Sequence, residues 1–343
     1  MTHVLETYLR VVLDGGHETG VHGALPLGGH WRVLGDGMLE LAPADTAGRD
    51  ADVLVSAGVH GDETAPIELC DLVIRDVAAG RLPLAARVMF VFGSLAGMRV
   101  GRRYLDDDLN RLFRPLGVAE AAALAASPRP DSVEGRRVVE LEAAVRAFFR
   151  QGPALRNGGS RLHFDLHTAI RGSQFERFAL CPFRSDGLWD REQLAWLADN
   201  GVEAVLLNDR PAGTFSYFTS AELGVSALTL ELGAARPFGK NDLSRFEAID
   251  RGLRRLLSGA RKPRDTQRTP RMFRVVHVLI KRTDQFRLHV ADDVLNFTAF
   301  PRGTLIAEDG DQRYVTTHDD ERVIFPNKHV KNGLRAGMMV VEC

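Results

Sequence analysis

DVLVSAGVHGDETAPIELCDLVIRDVAAGRLPLAARVMFVFG, residues 52–93, is the stretch that decides the fold. It opens on DVLVSAG, a compact Val-rich run that suits a strand buried on both faces. In ETAPIELCDLVIRDVAAG the apolar positions Ile67, Cys70, Val73, Ile74 and Val77 fall at helical spacing. Pro66 suits a first turn there and Gly80 a stop. RVMFVFG, residues 87–93, reads as a second buried strand. Strand, helix and strand within about 40 residues is the size of a βαβ unit.

The pattern recurs downstream. RLHFDLH (161–167), FALCPF (178–183), VEAVLLN (202–208) and VSALTLELG (225–233) read as strands. Residues 186–200, around Leu188, Leu194 and Leu197, read as a helix, as do TFSYFTSAELG and DLSRFEAIDRGLRRLLSG. Alternating strands and helices predict an α/β sheet covered by helices on both faces. Residues 1–50 read as Gly-rich and irregular with short strands such as WRVLG, and AAALAASPRPDS (121–132) as a surface excursion. Residues 259–271 are polar and basic with two prolines, a linker composition. Beyond it, FRVVHVLI, FRLHV, TLIAEDG, RYVTT and RVIF are short β-like segments without a helix signal. The chain therefore divides into a larger α/β domain, 1–258, a linker, 259–271, and a small β domain, 272–343.

Bulk properties narrow the function. Of 343 residues, 44 are Lys or Arg and 45 are Asp or Glu, a net charge of -1 that argues against nucleic-acid or membrane-surface partners. A small anionic substrate fits, because a local arginine cluster can sit inside a neutral total. Cys70, Cys181 and Cys343 form no disulfide framework and no CxxC, which suits a reducing compartment. MTHVLETYLR lacks a signal-peptide pattern, and no apolar run approaches the roughly 20 residues of a membrane helix. A cytoplasmic location is the expectation.

His60 and Glu63 follow the first strand, where sites form at the carboxyl edge of open α/β sheets. Gly58 and Gly61 allow a sharp turn there. Imidazole and carboxylate from one turn are both zinc donors, although an HxxE pair by itself is as readily a loop histidine plus an acid at a helix N-terminus. A third donor lies in RLHFDLHTAIRG. Strand alternation puts His163, Asp165 and His167 on one face. His167, at the carboxyl end, can meet His60 and Glu63, while His163 sits deeper as a hydrogen-bonded structural histidine. Three protein ligands leave a fourth position for water, the catalytic pattern. HETGVH (17–22) only imitates HExxH: its second His comes one residue late for a shared helix face, and Gly15, Gly16 and Gly20 disfavour a helix.

Glu231 in TLELG ends an apolar strand, where burial would raise its pKa and suit proton shuttling; the alternative is a salt-bridged strand-end acid. VGRRYLDDDLNRLF (100–113) brings Arg102, Arg103 and Arg111, whose forked donors match carboxylates and oxyanions. Arg102 and Asp106 read as solvated, and Asp108 could orient His60 through its other ring nitrogen.

In order, GVHGDETAP, DLNRLF, DLHTAIRGS and TLELG resemble the succinylglutamate desuccinylase and aspartoacylase family, a branch of the zinc carboxypeptidase superfamily. PAGTFSYFTS, TLELGAARPFGKNDLSRF, LNFTAFPRGTLIAEDGDQRYV and FPNKHVKNGLRAGM extend the resemblance from about residue 50 to the end. It implies a three-layer α/β/α sandwich on a mixed twisted sheet, with a small C-terminal β domain beside the site that restricts entry. It implies one Zn2+ per subunit held by His60, Glu63 and His167, and Glu231 as general base and acid. It further implies that Arg103 polarises the scissile carbonyl, that Asn110 and Arg111 grip a substrate carboxylate, and that Asp108 backs His60. The implied reaction is hydrolysis of N-succinyl-L-glutamate to succinate and L-glutamate, the last step of arginine catabolism by the succinyltransferase route. Deacylation of another N-acyl amino acid such as N-acetylaspartate is the alternative. Three substrate carboxylates call for an arginine-rich pocket, and Arg171, just past His167, is a further candidate for one of them. Homo-oligomer formation is left open.

Overall fold

The computed structural model describes residues 3–16, 18–46, 48–152, 155, 159–169, 171–187, 189–260 and 269–343. Most of the linker, with His17 of the HETGVH decoy and Leu188, lies outside the described residues.

The βαβ reading of the opening stretch holds. Strand Ala51–Ala57, helix Thr64–Ala78 and strand Arg87–Phe92 follow in order, and the two strands pair in parallel. Every residue of both strands is buried, which is why they read as continuous apolar runs. Strand Ser160–Ala169 pairs in parallel with the other side of Ala51–Ala57, and Ser226–Ala234 pairs in parallel with Ser160–Ala169. Phe178–Cys181 then joins antiparallel to Ser226–Ala234, so the sheet is mixed.

Alternation along these strands separates two layers. Val53, Val55, Phe164 and Leu166 pack with Ile67, Cys70, Val73 and Ile74 of helix Thr64–Ala78 and with Ile249 and Leu253 of helix Glu247–Leu257. Leu54, Met89 and Val91 point the other way, onto Val138, Leu141 and Val145 of helix Val133–Gln151 and Phe215 and Phe218 of helix Phe215–Leu223. Helices on both faces give the three layers.

The sheet does not stop where the composition changes. Ala204–Leu207 pairs in parallel with Arg271–Ile280, which continues antiparallel into Arg335–Glu342, Glu321–Ile324 and Thr298–Phe300. Among the described residues this makes one 13-stranded sheet, with a separate three-stranded sheet in the C-terminal part. Leu279, Phe286, Ile306, Val323 and Met339 pack together in that C-terminal part, and Phe273, Phe297, Ile324 and Met338 bind it to Phe178 and Leu206.

Other features also go beyond the sequence reading. Residues 1–50 hold the helices His3–Glu6 and Tyr8–Asp14, whose Leu5, Tyr8 and Val12 are buried. The 19-residue helix Val133–Gln151 follows the surface excursion. Its start is polar, VEGRR, and follows a Pro/Ala-rich stretch, yet Ser132 caps it by accepting from the Gly135 N–H at 3.0 Å. Gly61 lies in the turn closed by the Glu63 N–H on His60 O at 3.2 Å, and close packing also requires it: a Cβ there would lie 2.3 Å from the Gly97 carbonyl carbon. Its role is to let the 97–103 segment pack against the His60 loop, and its N–H donates to Arg103 O at 3.0 Å. Gly58 supplies the left-handed backbone at the start of the loop, at φ +64.

Candidate metal centre and active site

His60 leaves the carboxyl end of Ala51–Ala57, and Glu63 stands at the N-cap of helix Thr64–Ala78. Glu63 makes no side-chain capping bond to its own helix. Its carboxylate turns instead toward the strand ends. Oε1 lies 2.8 Å from His60 Nδ1 and accepts from Arg103 Nη1 at 2.8 Å. Oε2 lies 2.9 Å from His167 Nδ1 and accepts from the Thr168 N–H at 3.0 Å. His60, Glu63 and His167 are buried, and their donor atoms lie within 4.8 Å of one another.

Each imidazole meets a carboxylate on its far side. His60 Nε2 lies 3.0 Å from Asp108 Oδ1, and His167 Nε2 lies 3.0 Å from Asp165 Oδ2. This arrangement leaves both Nδ1 atoms facing Glu63 and both Nε2 atoms facing an acid, so that a metal on Nδ1 would leave each Nε2–H an acid to donate to. Burial lowers the affinity of His60 for a proton, but Glu63 and Asp108 outweigh it and the pKa rises. Burial likewise opposes charge on His167, and Asp165 and Glu63 raise it well above the ordinary value. The field at this point therefore favours positive charge. Two nitrogens, one carboxylate and a cation-favouring field fit a divalent metal ion.

The sequence marks Asp165 only as lying between His163 and His167, and its place behind His167 is a finding of the structure. The signal was its position two residues before a candidate ligand on the same strand face. Its second oxygen accepts from Ser56 Oγ at 2.6 Å, and Ser56 is its direct partner across the parallel pair. His163 is held between Ser56 Oγ at 2.9 Å and Thr219 Oγ1 at 2.8 Å, and burial pushes its pKa down to about 4. It is a neutral, hydrogen-bonded histidine and no part of the donor cluster.

Glu231 lies directly beside His167 in the parallel register. It is 8% exposed, and its Oε2 is buried without a hydrogen-bond partner among the described residues. Burial and the charge of Glu63 push its pKa up to about 7. A carboxyl group poised there can hold or release a proton near neutral pH.

The 100–113 segment is fixed from below by Glu134 on helix Val133–Gln151. Its carboxylate accepts the N–H groups of Leu105, Asp106 and Asp107 at 2.8, 3.1 and 3.2 Å. Sequence gave no hint of that support. Arg103 and Asp108 thereby reach the cluster, while Arg102 and Asp106 are exposed. Arg103 Nη2 lies 2.9 Å from His60 Nε2. Burial pushes Asp108 up, but Arg111 and His60 hold it well below the usual carboxylate range. Asn110 is buried, and its Oδ1 accepts from the Phe215 N–H at 2.9 Å, which ties the segment to the start of helix Phe215–Leu223. Arg111 is 40% exposed, with Nη1 donating to Asn110 O at 2.7 Å and Nη2 3.9 Å from Asp108 Oδ2. Arg171 Nη1 donates to the backbone carbonyls of Asp292 and, at 3.1 Å, Val294, so it ties the end of the site strand to the C-terminal part.

Comparison with known proteins agrees with this geometry. The family model described as Succinylglutamate desuccinylase/Aspartoacylase catalytic domain matches residues 49–257, and the AstE/AspA barrel-sandwich hybrid domain matches residues 268–343. A succinylglutamate desuccinylase of Burkholderia lata is 49% identical over 99% of this chain and 94% of its own. One of Burkholderia pseudomallei is 52% identical over 91% of this chain and 86% of its own. The crystal structure of the succinylglutamate desuccinylase from Chromobacterium violaceum is 44% identical, with a TM-score of 0.83 and 98% of each chain covered.

Proposed function

The chain belongs to the succinylglutamate desuccinylase/aspartoacylase family, and from that premise we propose that it hydrolyses N-succinyl-L-glutamate to succinate and L-glutamate. This is the last step of arginine catabolism by the succinyltransferase route. The observation that carries the proposal is the meeting of His60, Glu63, His167 and Glu231 at one buried point, in a chain about half identical to enzymes of that name.

His60, Glu63 and His167, whose donor atoms lie within 4.8 Å of one another, would hold one Zn2+ per chain. When bound, the ion supplies a Lewis acid for the amide carbonyl and lowers the pKa of water to about 7. Glu231 takes the proton from the attacking water and passes it to the glutamate nitrogen as the C–N bond breaks. Its pKa of about 7 suits both roles, since a proton gained must be given up again in the same turnover. Arg103, anchored on Glu63 Oε1, donates to the carbonyl oxygen as negative charge develops on it. Arg111 presents its half-exposed guanidinium to a substrate carboxylate, with Asn110 setting its position through the loop. Asp108 and Asp165 keep the two imidazoles in the metal-binding tautomer.

In this proposal residues 1–258 form the hydrolase domain, and residues 272–343, beyond the linker 259–271, flank the site and limit entry to small acyl amino acids. No helix of the described residues is long and apolar enough to cross a membrane, and we place the enzyme in the cytoplasm, where buried thiols such as Cys70 and Cys181 stay reduced. Steady-state kinetics on N-succinyl-L-glutamate, N-acetyl-L-aspartate and a short peptide test the assignment. The expected result is a kcat/KM highest for N-succinyl-L-glutamate, and a clear preference for either competitor would overturn it.

A further inference from the structure

Thr64 follows the acid Glu63 directly, opens helix Thr64–Ala78 and is 2% exposed. Its Oγ1 donates to the Arg236 carbonyl at 2.5 Å and accepts from Asn241 Nδ2 at 2.7 Å. Both partners lie just beyond Ser226–Ala234, the strand that carries Glu231. One turn further along the same helix face, Glu68 Oε1 accepts the Gly239 N–H at 2.5 Å. Phe238, between these partners in sequence, packs onto the core.

The topology makes these bonds a brace across the site. Strands Ala51–Ala57, Ser160–Ala169 and Ser226–Ala234 are neighbours in that order and run parallel. From the carboxyl end of the first leaves the loop with His60 and Glu63, and from that of the third leaves segment 235–241. The strand between them carries His167, and its Ala169 O accepts the Ala235 N–H at 3.2 Å. The parallel register sets Glu231 beside His167. Glu63 has no such ladder. It stands at a helix N-cap, and its carboxylate is turned to His60, His167, Arg103 and Thr168 rather than to its own helix. The Thr64 hydroxyl ties that helix start to the Glu231 side, with Glu68 one turn behind it. Because it is buried and engaged both as donor and as acceptor, removing it leaves a carbonyl and an amide NH2 to find new partners.

We infer that Thr64 is a positioning residue, whose bridge to Arg236 and Asn241 holds the metal-site acid Glu63 in place against the proton carrier Glu231. The inference rests on the function proposed above and adds to it what keeps the two acids in register. Thr64 acts through Glu63, one residue away, and through the segment that leaves the Glu231 strand. A misplacement of about 1 Å between such groups is enough to cost about 10²-fold in rate.

The test uses the full chain with Thr64→Val, which keeps the branched shape and loses both bonds, Thr64→Ser, which keeps the hydroxyl, and Asn241→Ala, which removes one bond from outside the helix. Measured are kcat and KM for N-succinyl-L-glutamate at saturating zinc, and zinc affinity by competition with a chelator. For Thr64→Val the expected kcat is roughly 10- to 100-fold lower with KM within about threefold, and zinc binds roughly 3- to 10-fold more weakly. Thr64→Ser should stay within about threefold of wild type in all three, a rescue that assigns the loss to the hydroxyl. Asn241→Ala should lower kcat by roughly 3- to 10-fold, and it serves as the test if Thr64→Val does not fold. A kcat within twofold of wild type in Thr64→Val, or in Asn241→Ala where that variant stands in, would overturn the brace, as would an equal loss in Thr64→Ser. Wild-type turnover tests the activity separately. If it is absent, weaker zinc binding by Thr64→Val that Thr64→Ser restores still supports the brace, and equal zinc affinity in all variants refutes it.

Discussion

Asp165→Asn separates the charge of the acid behind His167 from its shape. Asp165 is 0% exposed, with one oxygen on Ser56 Oγ at 2.6 Å and the other 3.0 Å from His167 Nε2. An amide must turn its NH2 toward one of these. If it faces His167, two donors oppose each other unless the imidazole proton moves to Nδ1, the atom that faces Glu63. If it faces Ser56, the hydroxyl must donate to His163 Nε2 instead, and His163 must then donate to Thr219. That reversal is open, because Thr219 Oγ1 can donate to Ser216 O at 3.1 Å. No buried donor then goes unpaired, and the variant loses the charge-assisted bond but keeps the correct tautomer. The expected cost is a 10- to 100-fold weaker metal affinity, about 1.4–2.7 kcal/mol, with the fold intact. Competition with a chromophoric chelator measures it. An affinity within threefold of wild type would show that Asp165 does not tune His167, and the reasoning would fail.

Glu231→Gln should bind metal normally and lose about 10²–10⁴-fold in kcat or more, because the amide cannot carry the proton; metal analysis and steady-state kinetics on the same sample check both halves. Arg111→Ala should act chiefly on KM, and a fall in kcat at unchanged KM would contradict its role as a carboxylate anchor. Asp52, 1% exposed, accepts from Arg49 Nε at 2.6 Å and Arg87 Nε at 2.9 Å. Burial pushes its pKa up, but these bonds hold it below 3.8, so its stabilisation is present above that pH and fades as pH falls through the depressed folded value. Asp52→Asn should therefore cost about 3–5 kcal/mol at pH 7, with the gap to wild type closing below pH 3.8 in denaturant titrations.

What sequence alone conveyed was whatever local pattern determines. The βαβ core was legible because Ala51–Ala57 and Arg87–Phe92 are buried throughout and the helix between them has one apolar stripe. The donors His60, Glu63 and His167 were legible because they stand at strand ends and a helix start, places that motif and alternation both reveal. Relations set by pairing were hidden. Ser56 meets Asp165 only once the two strands are in register, and Glu134 meets the 105–107 N–H groups only once helix Val133–Gln151 packs beneath them. The continuity of the sheet from Ala204–Leu207 into Arg271–Ile280 was hidden for the same reason: composition changes there while the hydrogen-bond ladder does not.

The most direct test of the account is turnover of N-succinyl-L-glutamate by the wild-type chain after complete chelation and stepwise return of zinc. Activity should vanish on chelation and be restored in full at one zinc ion per chain. Undiminished turnover of the chelated protein, or none at full zinc loading, would contradict the assignment of His60, Glu63 and His167 as the metal centre of this hydrolase.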